Sequence, residues 1–182
     1  NYFTKLNKVL VIIIFGLLVS LFPLKIFISR FMVDYVGIFS YLSIIFAIIF
    51  VQSKMQILIN PYYKLLRKES MMLRANLVGV VVAIVLVAPM YILTKSVTMV
   101  AIGTLLAMLI RLYLSEVYLK KEQGISSNKN IFFELAGLSL FIIFGLIHNL
   151  YLGLIGHLLI YSLFLLKQSN EIKELAKYVL RR

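Results

Sequence analysis

The sequence predicts an all-α membrane protein, and three observations carry that prediction. Of the 182 residues, 62% are hydrophobic and only 14% are charged, and the mean hydropathy is +1.00. Soluble domains run nearer half apolar and a quarter charged. The apolar residues gather into six runs, most of them near the roughly 20 residues that a helix needs to cross a bilayer. Stretches such as VIIIFGLL and VVVAIVLV do not alternate, as barrel strands do over about ten residues. Backbone groups in lipid must pair within the chain, so the runs read as helices. The large core of a soluble protein does not produce this many runs of this length.

The first run, 9–28, reads VLVIIIFGLLVSLFPLKIFI. A kink is expected at Pro23, which removes a helix donor and crowds the preceding turn. The second run is 36–59, the third 73–93 and the fourth 97–119, each long enough to span. The fifth, 131–147, and the sixth, 150–166, are near the short limit. They read as a helical hairpin, because the HNLYLG between them is brief and turn-like. Residues 1–168 are thus the expected transmembrane bundle. The tail, 169–182, reads as an amphipathic helix on the cytoplasmic surface. Ser169 or Asn170 can cap it, Glu171 and Glu174 suit its first turns, and Ile172, Leu175, Ala176 and Val179 share a face. A frayed tail is the competing reading. The chain starts at Asn1, and its first run lacks the small-residue cleavage pattern of a signal peptide. The expectation is a C-terminal piece of a longer protein.

Loop charge sets the expected orientation. Basic residues cluster at the head (Lys5, Lys8), after the second run (Lys64, Arg67, Lys68, Arg74), after the fourth (Lys120, Lys121, Lys129) and in the tail (Lys167, Lys173, Lys177, Arg181, Arg182). The alternate turns hold only Arg30 with Asp34, then Lys95, then no charge. Both ends are therefore expected in the cytoplasm, and the net charge of +12 reads as loop residues facing an anionic leaflet, not as a nucleic-acid surface.

Charged and amide side chains inside the runs are the candidate functional residues, since each charge there costs about 2.5–3.5 kcal/mol on insertion scales. Arg111 lies in the fourth run on a stripe with Thr104, Ala107, Met108, Ser115 and Tyr118, opposite Leu106, Leu109 and Leu112. The stripe predicts an inward-facing arginine. Two readings stand: the side chain snorkels to the cytoplasmic headgroups, or it presents a cation to an anionic substrate in a cavity. In the second run Gln52, Gln56 and Asn60 fall at i, i+4 and i+8, with Lys54 on another face. The amides read either as glue between helices or as a hydrogen-bonding wall for a sugar-like ligand. Lys25 and Arg30 read as interfacial anchors, Glu134 as a carboxylate opening the fifth helix, and His148 and His157, which flank a turn, as loop and helix-end packing residues, not a metal pair.

Catalytic equipment is sparse. Cysteine is absent, which excludes thiolate chemistry and disulfides, and Asp34 is the only aspartate. No acidic pair stands at a spacing suited to general acid–base work, and no Walker loop, dinucleotide turn or zincin motif occurs. Neither an enzyme nor a bound cofactor is expected.

Several stretches, in order, resemble the C-terminal half of a polysaccharide flippase of the O-antigen and teichoic-acid exporter type, in the MOP (MATE-like) superfamily. They are YFTKLNKVLVIIIFGLL, FMVDYVGIFSYLSIIFAIIF, INPYYKLLRKESMMLRANLVGVVVAIVLVAPMYIL and TMVAIGTLLAMLIRLYLSEVYLKK. One departure is that APMYILTK lacks the glycine that the family carries after its P-x-Y element. The resemblance implies a two-lobed bundle around a central cavity. Such a bundle carries a polyprenyl-pyrophosphate-linked oligosaccharide from the inner to the outer leaflet of a bacterial cell membrane by alternating access. It implies Arg111 and Lys54 as cations for the pyrophosphate, with Gln52, Gln56 and Ser115 beside them. The implied partners are membrane lipids, the missing N-terminal lobe of the same polypeptide and polysaccharide polymerase machinery; no nucleic acid is expected. A cation-coupled multidrug or small-solute antiporter of the same superfamily and a membrane enzyme acting on polyprenyl-linked glycans are the alternatives. The antiporter would need a buried carboxylate, for which the sequence offers Glu116 near a cytoplasmic end; the enzyme would need a large outer loop, and the outer turns are short.

Overall fold

The computed structural model describes residues 2–122, 129–147 and 149–167, and all six apolar runs are helical there, with no strand among the described residues. Prolines and left-handed residues decide where the helices break. Helix α1 (Tyr2–Leu17) and α2 (Leu21–Phe31) form one rod interrupted by a 3₁₀ turn at Leu18–Ser20. The interruption is centred on Val19, four residues before Pro23, whose missing N–H leaves that carbonyl without its helical partner. The expected kink is therefore present, displaced to the turn whose hydrogen bonding Pro23 disrupts. A second 3₁₀ stretch, Val33–Ile38, leads into α3 (Phe39–Lys54), a π-helical turn at Met55–Ile59 and the short α4 (Asn60–Leu65). Pro61 accounts for the π turn. It offers no N–H to the Ile57 carbonyl, and the chain takes in an extra residue, so that Asn60 N–H donates to Met55 O.

Helix α4 ends in a Schellman motif. Lys68 N–H donates to Tyr63 O at 2.9 Å and Arg67 N–H to Lys64 O at 3.0 Å, with Arg67 left-handed at φ 55°. Helices α5 (Glu69–Thr94) and α6 (Val97–Glu122) form a hairpin. Its tight turn needs Lys95 at φ 48°, from where its N–H donates to Tyr91 O at 2.8 Å. Helices α7 (Lys129–Leu146) and α8 (Leu150–Lys167) form the second hairpin. Asn149 caps α8, its Oδ1 accepting from the N–H groups of Tyr151 at 3.1 Å and Leu152 at 3.3 Å. His148 and the tail helix expected at 169–182 lie outside the described residues.

The helices overrun the apolar runs mainly at the end that bears the basic clusters. The first begins at Tyr2 instead of 9, the second continues to Leu65 instead of 59, α5 begins at Glu69 instead of 73, and α6 reaches Glu122 instead of 119. Lys, Glu and Leu are good helix formers in water as well as in lipid, so the helix continues where the apolar pattern stops.

Helix α3 sits at the centre, with α1, α6 and α7 packed around it; α8 closes on α1 and α2, and α5 rests mainly on α6. The core is aromatic. The Phe15 ring lies 4.9 Å from Phe50 and 4.4 Å from Phe164, and Phe164 lies 4.4 Å from Phe133. Gly137 allows this approach, since a β-carbon there would stand 2.6 Å from the Phe164 ring. The outer surface is as apolar as the core: Leu93 is 82% exposed, Phe132 78% and Ile92 71%. A soluble monomer does not expose apolar surface on this scale. Four helical segments, Phe3–Phe31, Val33–Leu65, Glu69–Thr94 and Val97–Leu119, are long and apolar enough to cross a membrane, and Ile131–Leu146 and Leu150–Leu166 are shorter apolar helices. This is the architecture of an all-α membrane protein.

Candidate functional site: a buried ion cluster and an intramembrane arginine

Lys54 is the last residue of α3, just before the π turn. Its side chain is fully buried, and its ammonium lies between the carboxylates of Glu116 on α6 and Glu134 on α7, forming an ion pair with each. Asn7 of α1 donates from Nδ2 to Glu134 Oε1 at 2.8 Å. Four helices thus meet at one cluster near the basic end. Glu116 is fully buried, Asn7 is 3% exposed and Glu134 6%. Beside it, Tyr63 donates to the Ser115 carbonyl at 3.0 Å, which ties α4 to α6 one residue before Glu116.

With all three groups ionised the cluster is formally −1, the sum of two carboxylates and one ammonium. Opposite charges in contact offset much of the cost of burial, and removing one partner of such a set typically costs about 3–5 kcal/mol. The cluster can also take up one proton or exchange one cation without leaving a net charge in the membrane. Such intramembrane acid–base groups mark ion pathways and proton relays. No group of three or more metal-ligating side chains occurs among the described residues.

The residues singled out from the sequence fall into separate places. Lys54 and Ser115 are both fully buried, Lys54 inside the cluster and Ser115 beside it, its hydroxyl without a partner among the described residues. Gln52 and Asn60 are half-buried, each with its side-chain oxygen unpartnered among the described residues, while Gln56 is exposed. The expected i, i+4, i+8 stripe is therefore broken, because the extra residue of the π turn rotates everything after Lys54 relative to what precedes it.

Arg111 lies elsewhere. It is half-buried on the side of α6 that faces α5, and its aliphatic stem rests on Gly79; a β-carbon on Gly79 would stand 2.8 Å from Arg111 Cδ. Its Nε has no hydrogen-bond partner among the described residues. The expected division of α6 into a polar inner and an apolar outer face holds only in part. Ala107 and Ser115 are buried and Leu106 is 42% exposed, but Leu112 is also buried and Tyr118 is 42% exposed. The reason is that α6 is packed on two sides, against α5 and against α3.

Three other expectations change. Glu134 is not at the opening of its helix: α7 begins at Lys129, which places Glu134 in the second turn, where it meets Lys54. His157 lies in the middle of α8, fully buried, with Nε2 3.2 Å from the Phe15 carbonyl and its ring 5.1 Å from that of Phe141. It is a core histidine. Lys25, read as an anchor at the surface, is only 3% exposed, whereas Arg30 is exposed. The ion cluster itself was out of reach of spacing arguments, since Lys54 and Glu134 are 80 positions apart. The available signal was weaker: three ionisable residues of opposite sign in apolar runs, each a few turns from a basic loop.

Fold and site together define a membrane-embedded helical protein with a three-residue ion cluster buried between its helices. Compared with protein-family models, with curated proteins and with solved structures, the chain matches none.

Proposed function

We propose that this chain is one lobe of a membrane transporter, the C-terminal half of a MATE-like flippase. It contributes six spans with both ends in the cytoplasm. The whole protein carries a polyprenyl-pyrophosphate-linked oligosaccharide from the inner to the outer leaflet of a bacterial cell membrane during surface polysaccharide synthesis. Arg111 is the observation that carries this reading. Its Nε is unpartnered, and it stands beside a helix, α5, whose only buried residues are Ala75 and Gly79. A guanidinium is always charged and presents five donors in a fixed fork, which suits a diphosphate, and its attraction for that anion strengthens where water is excluded. Lys54 contributes less to substrate binding than Arg111, because two carboxylates already engage its ammonium. The exposed flank of α5 faces the second lobe, and the transport energy comes from an ion gradient or the membrane potential.

A second reading, a cation-coupled antiporter of small solutes, is favoured by one observation: Glu116 and Glu134 are buried together within the apolar helices. Proton or cation exchange at such a pair is the usual work of intramembrane carboxylates.

The test is complementation of a deletion strain by the full-length gene, with membrane levels of each variant checked. Arg111→Ala is expected to abolish surface polysaccharide at normal protein level, and Arg111→Lys to retain part of it. Normal export by both variants would reduce Arg111 to a snorkelling residue. A deletion that leaves surface glycan intact but sensitises cells to small toxic cations would transfer the assignment to the antiporter.

A further inference from the structure

Two lysines are buried among the described residues, and the protein treats them differently. Lys54 has two carboxylates; Lys25 has none. Lys25 projects from α2 near the end of the bundle opposite the basic clusters. Its Nζ donates to the Gly145 carbonyl in the last turn of α7, and the Phe39 ring centroid is 5.3 Å away. A helix C-terminus and an aromatic face each offer a fraction of a negative charge. An ammonium has three donors, and the carbonyl uses one.

Beside Lys25 is a cavity of about 400 Å³, lined by Lys25, Ser29, Ser40, Val36, Phe39, Leu146, Ile147 and Leu150. It is far larger than the ≈ 30 Å³ share of one water. Among the described residues its polar side-chain groups are one ammonium and two hydroxyls, and the other lining side chains are apolar. The hydroxyls donate to backbone carbonyls of their own turns, Ser29 to Ile26 O at 2.9 Å and Ser40 to Gly37 O at 3.0 Å. Rotation about the Cβ–Oγ bond redirects either proton into the cavity. The site lies near the ends of α2 and α7 and the start of α3. Spanning helices end about where the hydrocarbon gives way to headgroups, and an occupant anionic at one end and apolar at the other suits such a place.

We propose that this cavity binds the phosphate of a membrane phospholipid, with Lys25 as its cation and Ser29 and Ser40 as hydroxyl donors. The apolar walls at Val36, Phe39 and Leu150 take the glycerol and the start of the acyl chains. The bound phosphate completes the coordination of Lys25 and holds the α2, α3 and α7–α8 ends together. This assignment depends only on membrane embedding, not on what the protein transports.

The experiment uses the full-length protein, delipidated in detergent, and follows its thermal unfolding midpoint as phosphatidylglycerol is added. The midpoint is expected to rise with phosphatidylglycerol and not with diacylglycerol bearing the same chains. Lys25→Gln should raise the phosphatidylglycerol concentration for half the effect by about tenfold, the worth of one charge-assisted hydrogen bond. Lys25→Arg should change it little, and Ser29→Ala with Ser40→Ala should raise it by a smaller factor. Equal stabilisation of wild type and Lys25→Gln, or equal stabilisation by diacylglycerol, overturns the site. Inorganic phosphate acting as strongly as phosphatidylglycerol would overturn the lipid as the source of the phosphate. Should Lys25→Gln fail to fold, the double serine variant and the comparison of the two lipids on wild type decide the question.

Discussion

The body of the molecule, built from α1, α3, α7 and α8, and the α5–α6 hairpin solve the same problem in opposite ways. In the body, charge is buried and paired: Lys54, Glu116 and Glu134 meet in one cluster to which Asn7 donates. Around it the rings of Phe15, Phe50, Phe133 and Phe164 interlock. On the hairpin, Arg111 is half-buried with an unpartnered Nε, and only two residues of the 26-residue α5 are buried. Glu116 joins the two regions, because α6 belongs to the hairpin and also supplies a carboxylate to the body. The difference teaches where each region's stability comes from. The body is held by mutual dependence, whereas the hairpin is held by α6 and leaves its other flank free for lipid or protein.

The largest expected effect breaks the balance in the body. Lys54→Met leaves two carboxylates buried side by side and should destabilise the full-length protein by about 3–5 kcal/mol. Thermal unfolding in detergent measures this. Restoration of stability by Glu116→Gln and Glu134→Gln on the same background would show that the loss is electrostatic; no restoration would mean that Lys54 matters for packing.

A pair of alanine substitutions sharpens the contrast. At Gly137 the new β-carbon meets the Phe164 ring at 2.6 Å, and that ring is held between Phe15 and Phe133. Overpacking of this kind should cost about 1–3 kcal/mol. At Gly79 the new β-carbon meets Arg111 Cδ at 2.8 Å, a flexible side chain on the open hairpin. Gly79→Ala should therefore cost clearly less in the same unfolding assay, while displacing the guanidinium and lowering export. Equal losses of stability at the two glycines would contradict the picture of a tight body and a yielding hairpin.

The smallest effect has the opposite sign and lies in the connection between the two regions. Arg67 holds the left-handed position of a Schellman motif at φ 55°, a place that suits glycine. Arg67→Gly should raise stability by about 0.5–1 kcal/mol, because relief of the left-handed penalty outweighs the added freedom of the unfolded chain. Calorimetry or chemical unfolding checks the sign.

Much of this was legible in the sequence. The six apolar runs, the turns between them and the disruption caused by Pro23 follow from composition and local backbone chemistry, because lipid leaves a chain no alternative to internal hydrogen bonding. The interior of Lys54 was half legible: an amine in an apolar run must find partners, but nothing in VQSKMQILIN names them. Gln56 was misplaced on a shared stripe because Pro61, five residues later, inserts a π turn that no 3.6-residue count contains. Glu134 was read from a helix start at 131, two residues too late, which hid its place in the second turn of α7.

The sequence by itself determined the class of the protein, an all-helical chain built for lipid, and which few residues would be costly to bury there. Only the tertiary structure decided which of those costs are offset. Lys54 is paired with glutamates from two other helices, Lys25 meets a carbonyl and a ring beside a cavity, and Nε of Arg111 is left without a partner among the described residues. The physical reason is that apolar periodicity is a local property of one helix. A charge in a membrane is compensated by groups close in space, and helix packing brings those together from positions far apart in the chain.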